Sequence, residues 1–420
     1  IKPFYYLFKD GRLAFASEMK TFKVLPGFSP RLDIASLHQY MTFLWVPEPN
    51  SILEGVKKLP AGHYATFHSG KFTLHKYWDL DFPAEDHSDR YLKNENEVVK
   101  EVRRLFGQSV SDHMISDVSV GAFLSGGLDS SAIVSQMASI SNDPVSTYTI
   151  VFPEKDLVGE SSLDDPKLSR MVADHFGCDH HEIIVEPDVA DLMGKLAWHL
   201  DEPIADPAAI MSYLVCQEAG KNLKVMLSGV GGDELFAGYR KHYAYKWAKF
   251  YKLIPGFVRE SILSPGIASL PVMRGTPFKN ELRLIKKMVM SGSMSDRDAF
   301  LMNCTYLDDI QKSNLYSREL KTETADYESW KTHLAFFNNV SHADFLNQML
   351  YLDVKTFMVS LNLTYNDRMS MASSVETRIP FLDKDLVEFV AQHVSPNMKL
   401  KGSVLPQTKY ILREAMDGIL

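Results

Sequence analysis

The chain has 420 residues, of which 45% are hydrophobic and 23% charged, a composition typical of soluble globular domains with two or three cores. Its formal net charge of -8, without a basic tail or stripe, argues against nucleic acid as a general partner. No apolar run approaches the ~18–20 residues that cross a bilayer, so neither a membrane span nor a signal peptide is expected. Three cysteines without metal-ligand or redox spacing indicate reduced thiols in a cytoplasmic protein.

Residues 1–78 have a β-rich pattern. Asp-Gly at 10–11 and Ser-Gly at 69–70 each lie between two apolar runs, which predicts two β-hairpins. Between the hairpins, Asp33 precedes a short apolar-periodic run and is expected to cap a helix. Residues 79–96 are polar and charged, and they predict a linker to the rest of the chain.

From about residue 97 the pattern alternates between helix and strand. Short apolar strands are expected at 118–124, 145–152, 180–185 and 224–228, and helices are expected at 98–110, 130–141, 165–177, 188–200 and from 206. This alternation predicts an α/β domain with a doubly wound parallel sheet over 97–240. Few strand patterns follow, so residues 241–420 are expected to be mostly helical.

The loop "SGGLDSS", residues 125–131, lies between a predicted strand and a predicted helix, where doubly wound sheets bind ligands. Gly126 and Gly127 allow backbone N–H groups to converge, and Ser130 and Ser131 open a helix whose N-terminus favours an anion. Asp129 would repel a phosphate unless a divalent cation such as Mg²⁺ lies between them. The loop matches neither GxxxxGK[ST] nor GxGxxG. An ordinary Gly-Ser turn is the alternative.

A second glycine-rich stretch, "LSGVGGDELFAGY" at residues 227–239, follows another predicted strand. Its three glycines at 229, 231 and 232 permit close backbone approach, and Asp233 and Glu234 begin a helix, where acids suit the helix dipole. Two glycine-rich strand ends in one sheet can face one ligand. A structural turn followed by an acidic helix start is the alternative.

The first loop resembles the pyrophosphate-binding loop of ATP pyrophosphatases that adenylate a substrate. With the second motif, and with "IKPFYYLFKDGRLAFASEMKTF", "DEPIADPAAI" and "NDRMSMASSVETRIPFLD", the whole chain resembles the glutamine-dependent asparagine synthetases. The resemblance implies an ATP-dependent synthetase domain of the ATP pyrophosphatase fold over 97–420. It also implies that residues 1–78 are a remnant of the N-terminal glutaminase domain.

The resemblance also implies roles for individual residues. Leu124 and Ile150 would hold adenine through backbone groups, Ser228 and Gly229 would contact the AMP part, and Asp129 and Asp233 would be the catalytic residues that bind Mg²⁺. The residues implied to bind pyrophosphate are Ser125, Gly126, Gly127, Asp129, Ser130 and Ser131. Glu376 and Arg378 are either a structural ion pair or a binding pair.

Three positions depart from the family pattern. The family's glutaminase nucleophile is an N-terminal cysteine, whereas this chain begins with Ile1, so the chain as it stands is not expected to hydrolyse glutamine. The acid expected between the first two glycines of the second motif is Val230, which can neither accept a proton nor bind ammonium. The family's lysine that stabilises the adenylating phosphate is expected beyond Leu420, and Lys409 is expected inside a helix and not as its equivalent. Poor catalysis by this fragment is therefore expected.

Three functions follow from these observations. The first is a ligase that adenylates aspartate and amidates it with ammonia derived from glutamine. The second applies the same chemistry to another small-molecule carboxylate, such as a sugar acid or a peptide, because of Val230. The third is a nucleotide-binding relative without catalysis. Whether the chain forms a homodimer stays open.

Three further stretches have less specific patterns. The pair His180-His181 begins a strand, where adjacent side chains point to opposite faces, so a structural role is favoured over a zinc site. Residues 153–165 are polar and predict either a mobile lid or a plain solvent loop. Residues 281–290 predict an amphipathic helix that is buried rather than bound to a membrane.

Overall fold

In a computed structural model of the protein, the described residues are 2–151, 165–185, 189–259, 261, 266–267, 270, 282, 286, 289, 291–292, 294–403 and 406–420. The expected lid at 153–165 lies outside the described residues except for its last position, and the expected helix at 281–290 lies largely outside them. Among the helices that are described, none has both the length and the apolar character needed to cross a membrane.

A five-stranded parallel sheet forms the centre of the molecule. Its strands lie in the order Glu376–Arg378, Val225–Leu227, Val120–Phe123, Ser146–Val151 and Asp179–Ile184. The predicted α/β class with a parallel sheet is confirmed. The edge strand Glu376–Arg378 was not expected, because it comes from the part of the chain read as helical and pairs parallel with Val225–Leu227.

Helices surround this sheet and bury its apolar strands. Those of the α/β part are Glu95–Met114, Leu128–Ile140, Asp165–His175, Val189–Leu200, Ala208–Ala219 and Gly232–Phe236. The main core joins the sheet to helices from both ends of the chain, and its members include Phe106, Ala122, Ile133, Phe236 and Phe381. Because Glu95–Met114 packs against Tyr410–Met416, two helices that are far apart in the chain share one core.

The N-terminal residues form small antiparallel sheets. Tyr5–Lys9 and Arg12–Ala16 make the first predicted hairpin, and Val56–Lys58 pairs with its first strand. His63–His68 and Lys71–Lys76 make the second. Both turns have the positive φ angles that Asp-Gly and Ser-Gly tolerate, so both hairpin predictions are confirmed.

Between the hairpins, the expected helix runs from Ile34 to Phe43, and the Asp33 side chain accepts a hydrogen bond from Ser36 N, as predicted. Short 3₁₀ helices cover Met19–Val24, Glu85–Arg90 and Pro380–Leu382.

The rest of the chain is mostly helical, as expected. Its described helices are Arg240–Lys252, Gly256–Val258, Asp296–Cys304, Asp309–Leu315, Arg318–Thr324, Lys331–Asn339, Phe345–Asp353, Leu363–Met371, Lys384–His393, Pro396–Lys399 and Tyr410–Met416. A π-helix, Val354–Asn362, joins two of them without a break. Two short strands, Leu400–Lys401 and Gln407–Thr408, pair before the last helix.

Candidate active site

A cleft of about 620 Å³ opens at the carboxyl ends of the three middle strands of the sheet. Both glycine-rich motifs contribute to it, as the sequence predicted for strand ends that meet at one edge. The predicted site residues that line it are Leu124, Ser125, Gly127, Asp129, Ser130, Ile150, Ser228, Gly229 and Asp233. Gly126 and Ser131 adjoin the cleft without being part of its lining.

The first loop wraps the N-terminus of helix Leu128–Ile140. Gly127 is the N-cap and offers no side-chain acceptor, so the first amides of the helix are left for another partner. The Ser130 hydroxyl accepts from Ser125 N at 3.2 Å and lies 3.1 Å from Ser125 Oγ. Gly126 has φ +74°, and a Cβ there would lie 2.6 Å from Leu168 Cβ, so only glycine fits without strain.

The second motif packs directly against the first. A Cβ on Gly232 would lie 2.5 Å from Asp129 Oδ2, and one on Gly229 would lie 3.0 Å from Asp129 Cβ. A side chain at Gly238 would overlap both Asp233 and Lys409. The glycines therefore allow the two acidic loops to pack in direct contact. From the sequence, only their general backbone freedom was expected.

Lys409 is the residue that sequence reasoning misplaced. The expectation that it lies inside a helix is wrong, because helix Tyr410–Met416 begins one residue later and Lys409 has a left-handed φ of 53°. Its Nζ lies 2.6 Å from Asp129 Oδ2 and 2.6 Å from Asp233 Oδ1. No local pattern signals this contact, since 280 residues separate Lys409 from Asp129.

Burial and the neighbouring charges shift the pKa values of Asp129 and Lys409 in this cluster. Burial raises the pKa of Asp129 to about 6, against the opposing effect of the Lys409 ammonium, and the nearby Asp233 adds to the rise. Burial lowers the pKa of Lys409, but the two carboxylates outweigh it and the net shift is upward. Lys409 is thus the cation that neutralises both acids.

The cluster retains unused acceptors. Asp129 Oδ1 and Ser131 Oγ are buried and have no hydrogen-bond partner among the described residues. A buried carboxylate oxygen without a partner is costly unless a cation or donor reaches it. Since oxygen donors from one or two carboxylates are what Mg²⁺ takes beside phosphates, the residues present fit a magnesium ion.

Leu124 and Ile150, which the family resemblance implies as adenine contacts, lie at the ends of two neighbouring strands. Leu124 N donates to Tyr148 O at 3.0 Å, and the Thr149 hydroxyl donates to Leu124 O. Ile150 lines the cleft on the neighbouring strand. On the other side, Ser228 N donates to Arg378 O at 2.9 Å, which holds the second motif on the edge strand.

A buried polar group beyond Asp233 was not singled out from the sequence. Glu234 Oε1 accepts from Tyr239 OH at 2.7 Å and from Asn362 Nδ2 at 2.8 Å, and all three residues line the cleft. Burial raises the pKa of Glu234 to about 7. The acid following Asp233 was visible in the motif, but its partner Asn362 lies 128 residues away.

Val230 also lines the cleft, where the family pattern has an acid. Its side chain packs against an apolar cluster that includes Met358, Leu363 and Ile379. This wall of the cleft therefore has no carboxylate at the motif position.

The remaining sequence candidates, Glu376, Arg378, His180 and His181, do not line the cleft. Arg378 Nε donates to Glu376 Oε1 at 2.7 Å, and its Nη1 donates to two carbonyls at the end of helix Glu95–Met114, away from the cleft. His180 contacts Thr147 Oγ1, whereas His181 stacks on Tyr148. In the part of the chain that the structure describes, no group of three or more potential ligands is placed to hold a metal.

Comparison with known families agrees with this geometry. The family model described as asparagine synthase matches residues 101–420, and the model described as a glutamine amidotransferase domain matches residues 1–78. The chain belongs to the asparagine synthase family. The predicted family resemblance is confirmed, and the glycine motifs around Asp129 and Asp233 lie within the matched region.

Curated members of the family resemble the chain along its whole length. It is 34% identical over 423 residues to asparagine synthetase [glutamine-hydrolyzing] 1 of Bacillus subtilis, covering 100% of this chain and 62% of that protein. It is 30% identical over 428 residues to a putative asparagine synthetase of Mycobacterium tuberculosis, of which it covers 61%. A Penicillium rubens protein named amidase chyE is 28% identical over 459 residues, covering 99% of this chain and 63% of that protein. The chain thus spans less than two thirds of the length of these relatives.

Proposed function

We propose that the protein is an ATP-dependent, amide-forming ligase that adenylates a carboxylate in this cleft. The carboxylate attacks the α-phosphate of ATP, pyrophosphate leaves, and ammonia then displaces AMP to give the amide. The observation that carries the proposal is the Asp129–Lys409–Asp233 cluster, which lies beside the uncapped start of helix Leu128–Ile140. A helix N-terminus, hydroxyls, a lysine and two acids are what MgATP needs.

Each part of the cleft then has a task. The amides at the start of the helix, with Ser125, Ser130 and Ser131, hold the leaving pyrophosphate, while Leu124 and Ile150 hold adenine. Ser228 and Gly229 contact the AMP part. Asp129 and Asp233 would hold Mg²⁺, which neutralises phosphate charge when bound. Lys409, already 2.6 Å from both acids, adds a positive charge beside the phosphates.

The acceptor is a small carboxylic acid. Aspartate is the default for this family, and the relatives named asparagine synthetase support it. Val230 favours another acid, such as a sugar acid or a peptide, because the cleft wall at that position is apolar. The relative named as an amidase supports an acceptor other than aspartate.

The nitrogen source in this proposal is glutamine. Residues 1–78, which match a glutamine amidotransferase domain, would be the part of the glutaminase domain that docks on the synthetase domain of residues 97–420, with 79–96 joining them. Cys178, Cys216 and Cys304 form no disulfide in the part of the chain that the structure describes, which supports a cytoplasmic site for this chemistry.

The test is acid-dependent exchange of labelled pyrophosphate into ATP, measured on the full-length protein with a panel of carboxylic acids. Exchange that requires aspartate supports the asparagine synthetase reaction, and exchange that requires another acid supports the same chemistry on that acceptor. The variant Asp129→Asn should abolish exchange in either case. If no acid in the panel supports exchange while ATP still binds, the protein is a nucleotide-binding relative and the proposal is wrong.

A further inference from the structure

Two buried groups of the rest of the chain, Asp201 and Arg368, contact residues 17–20 of the N-terminal part. The Asp201 carboxylate accepts hydrogen bonds from the backbone N–H groups of Met19 and Lys20, the latter at 2.9 Å. It thereby caps the 3₁₀ helix Met19–Val24, whose own N-cap residue makes no side-chain cap. Asp201 has a left-handed φ of 65°, so the loop that carries it is held in a conformation that few residues adopt freely.

Arg368 completes the same contact from a different helix. Its side chain is 3% exposed, and its Nη2 donates to Ser17 O at 2.6 Å and lies 3.9 Å from Asp201 Oδ2. Its Nη1 lies 3.6 Å from Glu18 Oε1. A buried guanidinium between a carbonyl and two carboxylates is costly to separate, because each partner would be left unpaired.

A second buried acid beside Asp201 extends the contact. Glu202 accepts from Tyr5 OH at 3.3 Å and from Ile52 N at 3.1 Å, and it lies 2.6 Å from Lys58 Nζ. Two consecutive acids therefore fix three separate segments of the N-terminal part: the loop at 17–20, the first strand and the segment around Ile52.

Arg368 lies on a helix that forms one wall of the cleft, and Asp201 lies in the loop before a helix that forms another. Arg368 belongs to helix Leu363–Met371, which presents Tyr365 and Asn366 to the cleft. The loop carrying Asp201 leads into helix Ala208–Ala219, whose cleft-lining residues are Ala208, Met211, Ser212 and Val215. The two helices pack against each other through one apolar cluster that contains Tyr213 and Met369. Packed contacts therefore connect residues 17–20 to both walls.

We propose that Arg368 and Asp201 are positioning residues for the adenylation cleft, through which docking of residues 17–20 sets the two helices in the geometry that catalysis needs. This inference rests on the proposed function. Arg368 acts through Tyr365 and Asn366 and does not touch the substrate itself. A conformational change in the N-terminal part that moves residues 17–20 would then change the rate of adenylation. It would do so even when ammonia is supplied directly and no glutamine is present.

The test compares Arg368→Met with Arg368→Lys and Asp367→Asn in the full-length protein. Asp367 is one residue away on the same helix and pairs with Lys2, but it lies outside the contact with residues 17–20, so it is the matched control. Arg368→Met should lower the turnover number of pyrophosphate exchange at least about tenfold, with little change in the KM for ATP. The loss should be equal whether ammonium chloride or glutamine is the nitrogen source. Arg368→Lys should restore part of this loss, and Asp367→Asn should behave as wild type.

Hydrogen–deuterium exchange gives a second readout that does not depend on activity. Peptides covering 208–219 and 363–371 should exchange faster in Arg368→Met than in the control and the wild type. If Arg368→Met fails to fold, Asp201→Asn, which keeps one acceptor and loses the charge, should show the same changes at smaller size. Unchanged exchange turnover in a folded variant, with loss only of glutamine-dependent synthesis, would overturn the inference. Failure of the proposed function would be distinguishable from failure of this inference, because the wild type itself would then show no acid-dependent exchange.

Discussion

Lys409 Nζ lies 2.6 Å from Asp129 Oδ2 although 280 residues separate the two in the chain, and Asp233 is equally close to the same ammonium. The contact joins the residue that precedes the last described helix to both glycine motifs. It places one cation between two acids that would otherwise repel each other. In the proposed reaction, this cation and the metal share the task of neutralising the acids and the phosphates.

Replacing Lys409 with Met should therefore lower acid-dependent pyrophosphate exchange about 10- to 100-fold, because one preorganised positive charge is lost beside the phosphates. The same variant, without nucleotide, should bind Mn²⁺ more tightly than wild type, since Lys409 no longer competes for Asp129 and Asp233. Exchange kinetics and Mn²⁺ titration followed by electron paramagnetic resonance measure the two effects.

The control for this variant is Lys221→Met, which removes an exposed lysine paired with Glu218 on the surface. It should change neither quantity. Full exchange activity in Lys409→Met would show that Lys409 only balances charge in the folded protein and takes no part in the reaction.

Gly232 is the second position at which the cleft can be tested. A Cβ there would lie 2.5 Å from Asp129 Oδ2, and Lys409 restricts the movement of that carboxylate. Gly232→Ala should lower exchange activity at least about tenfold, because displaced reacting groups lose rate steeply. Steady-state kinetics at saturating ATP measure the loss.

The matched control is Gly194→Ala, in the interior of helix Val189–Leu200, where an added Cβ meets no atom within 4 Å. It should keep full activity and stabilise the fold by about 0.5–1 kcal/mol, because alanine loses less backbone entropy than glycine in a helix. If both variants lose activity alike, the close packing of Gly232 against Asp129 is not the cause.

The features that sequence reasoning predicted well depend on local chemistry. Asp10-Gly11 and Ser69-Gly70 specify turns through their own backbone preferences, and Asp33 caps its helix within three residues. The two glycine motifs could be placed at strand ends because strand and turn signals adjoin each other in the chain. The cleft between them followed from the geometry of parallel sheets.

The features that were missed depend on tertiary contacts. The edge strand Glu376–Arg378 has only three residues, too few for a periodic pattern, and it exists because Val225–Leu227 offers an unpaired side. The expectation that Lys409 lies inside a helix is wrong by one residue, because Lys409 is the N-cap with a left-handed backbone and its side chain contacts Asp129. Glu234 and Tyr239 lie in the second motif, but their partner Asn362 is 128 residues from Glu234 and no local pattern indicates it.

His333 gives a prediction on pH. The ring is 1% exposed, stacks on Phe43 with centroids 4.2 Å apart, and burial lowers its pKa to about 3. Between about pH 3 and 6.5 the unfolded chain binds a proton at this ring that the folded protein does not. The folded state thus loses stability as pH falls below about 6.5, by up to about 1.4 kcal/mol per pH unit from this group.

His333→Phe should remove this contribution and keep the stacking on Phe43, so its free energy of unfolding should fall less steeply from pH 6.5 to 4.5. His333→Gln should flatten the dependence of stability on pH equally. It should be less stable than His333→Phe at every pH, because the ring contact with Phe43 is lost. Urea denaturation at a series of pH values measures both. A slope in His333→Phe equal to that of wild type would contradict the prediction.

Lys399 should respond to pH in the same sense over a higher window. Its side chain is fully buried, with Nζ 3.0 Å from Asn347 Oδ1 and 5.0 Å from the centre of the Phe82 ring, and burial lowers its pKa to about 7. From about pH 7 to 10.5 the unfolded chain holds a proton that the folded protein releases, so stability rises with pH across this window. Lys399→Met should flatten that rise and stabilise the protein at pH 7 by roughly 2 kcal/mol, since no charge is then buried. The control is Lys384→Met, on the surface, which should leave the unfolding midpoint near the wild-type value. If Lys399→Met is less stable than wild type at pH 7, the hydrogen bond to Asn347 outweighs the cost of burying the charge.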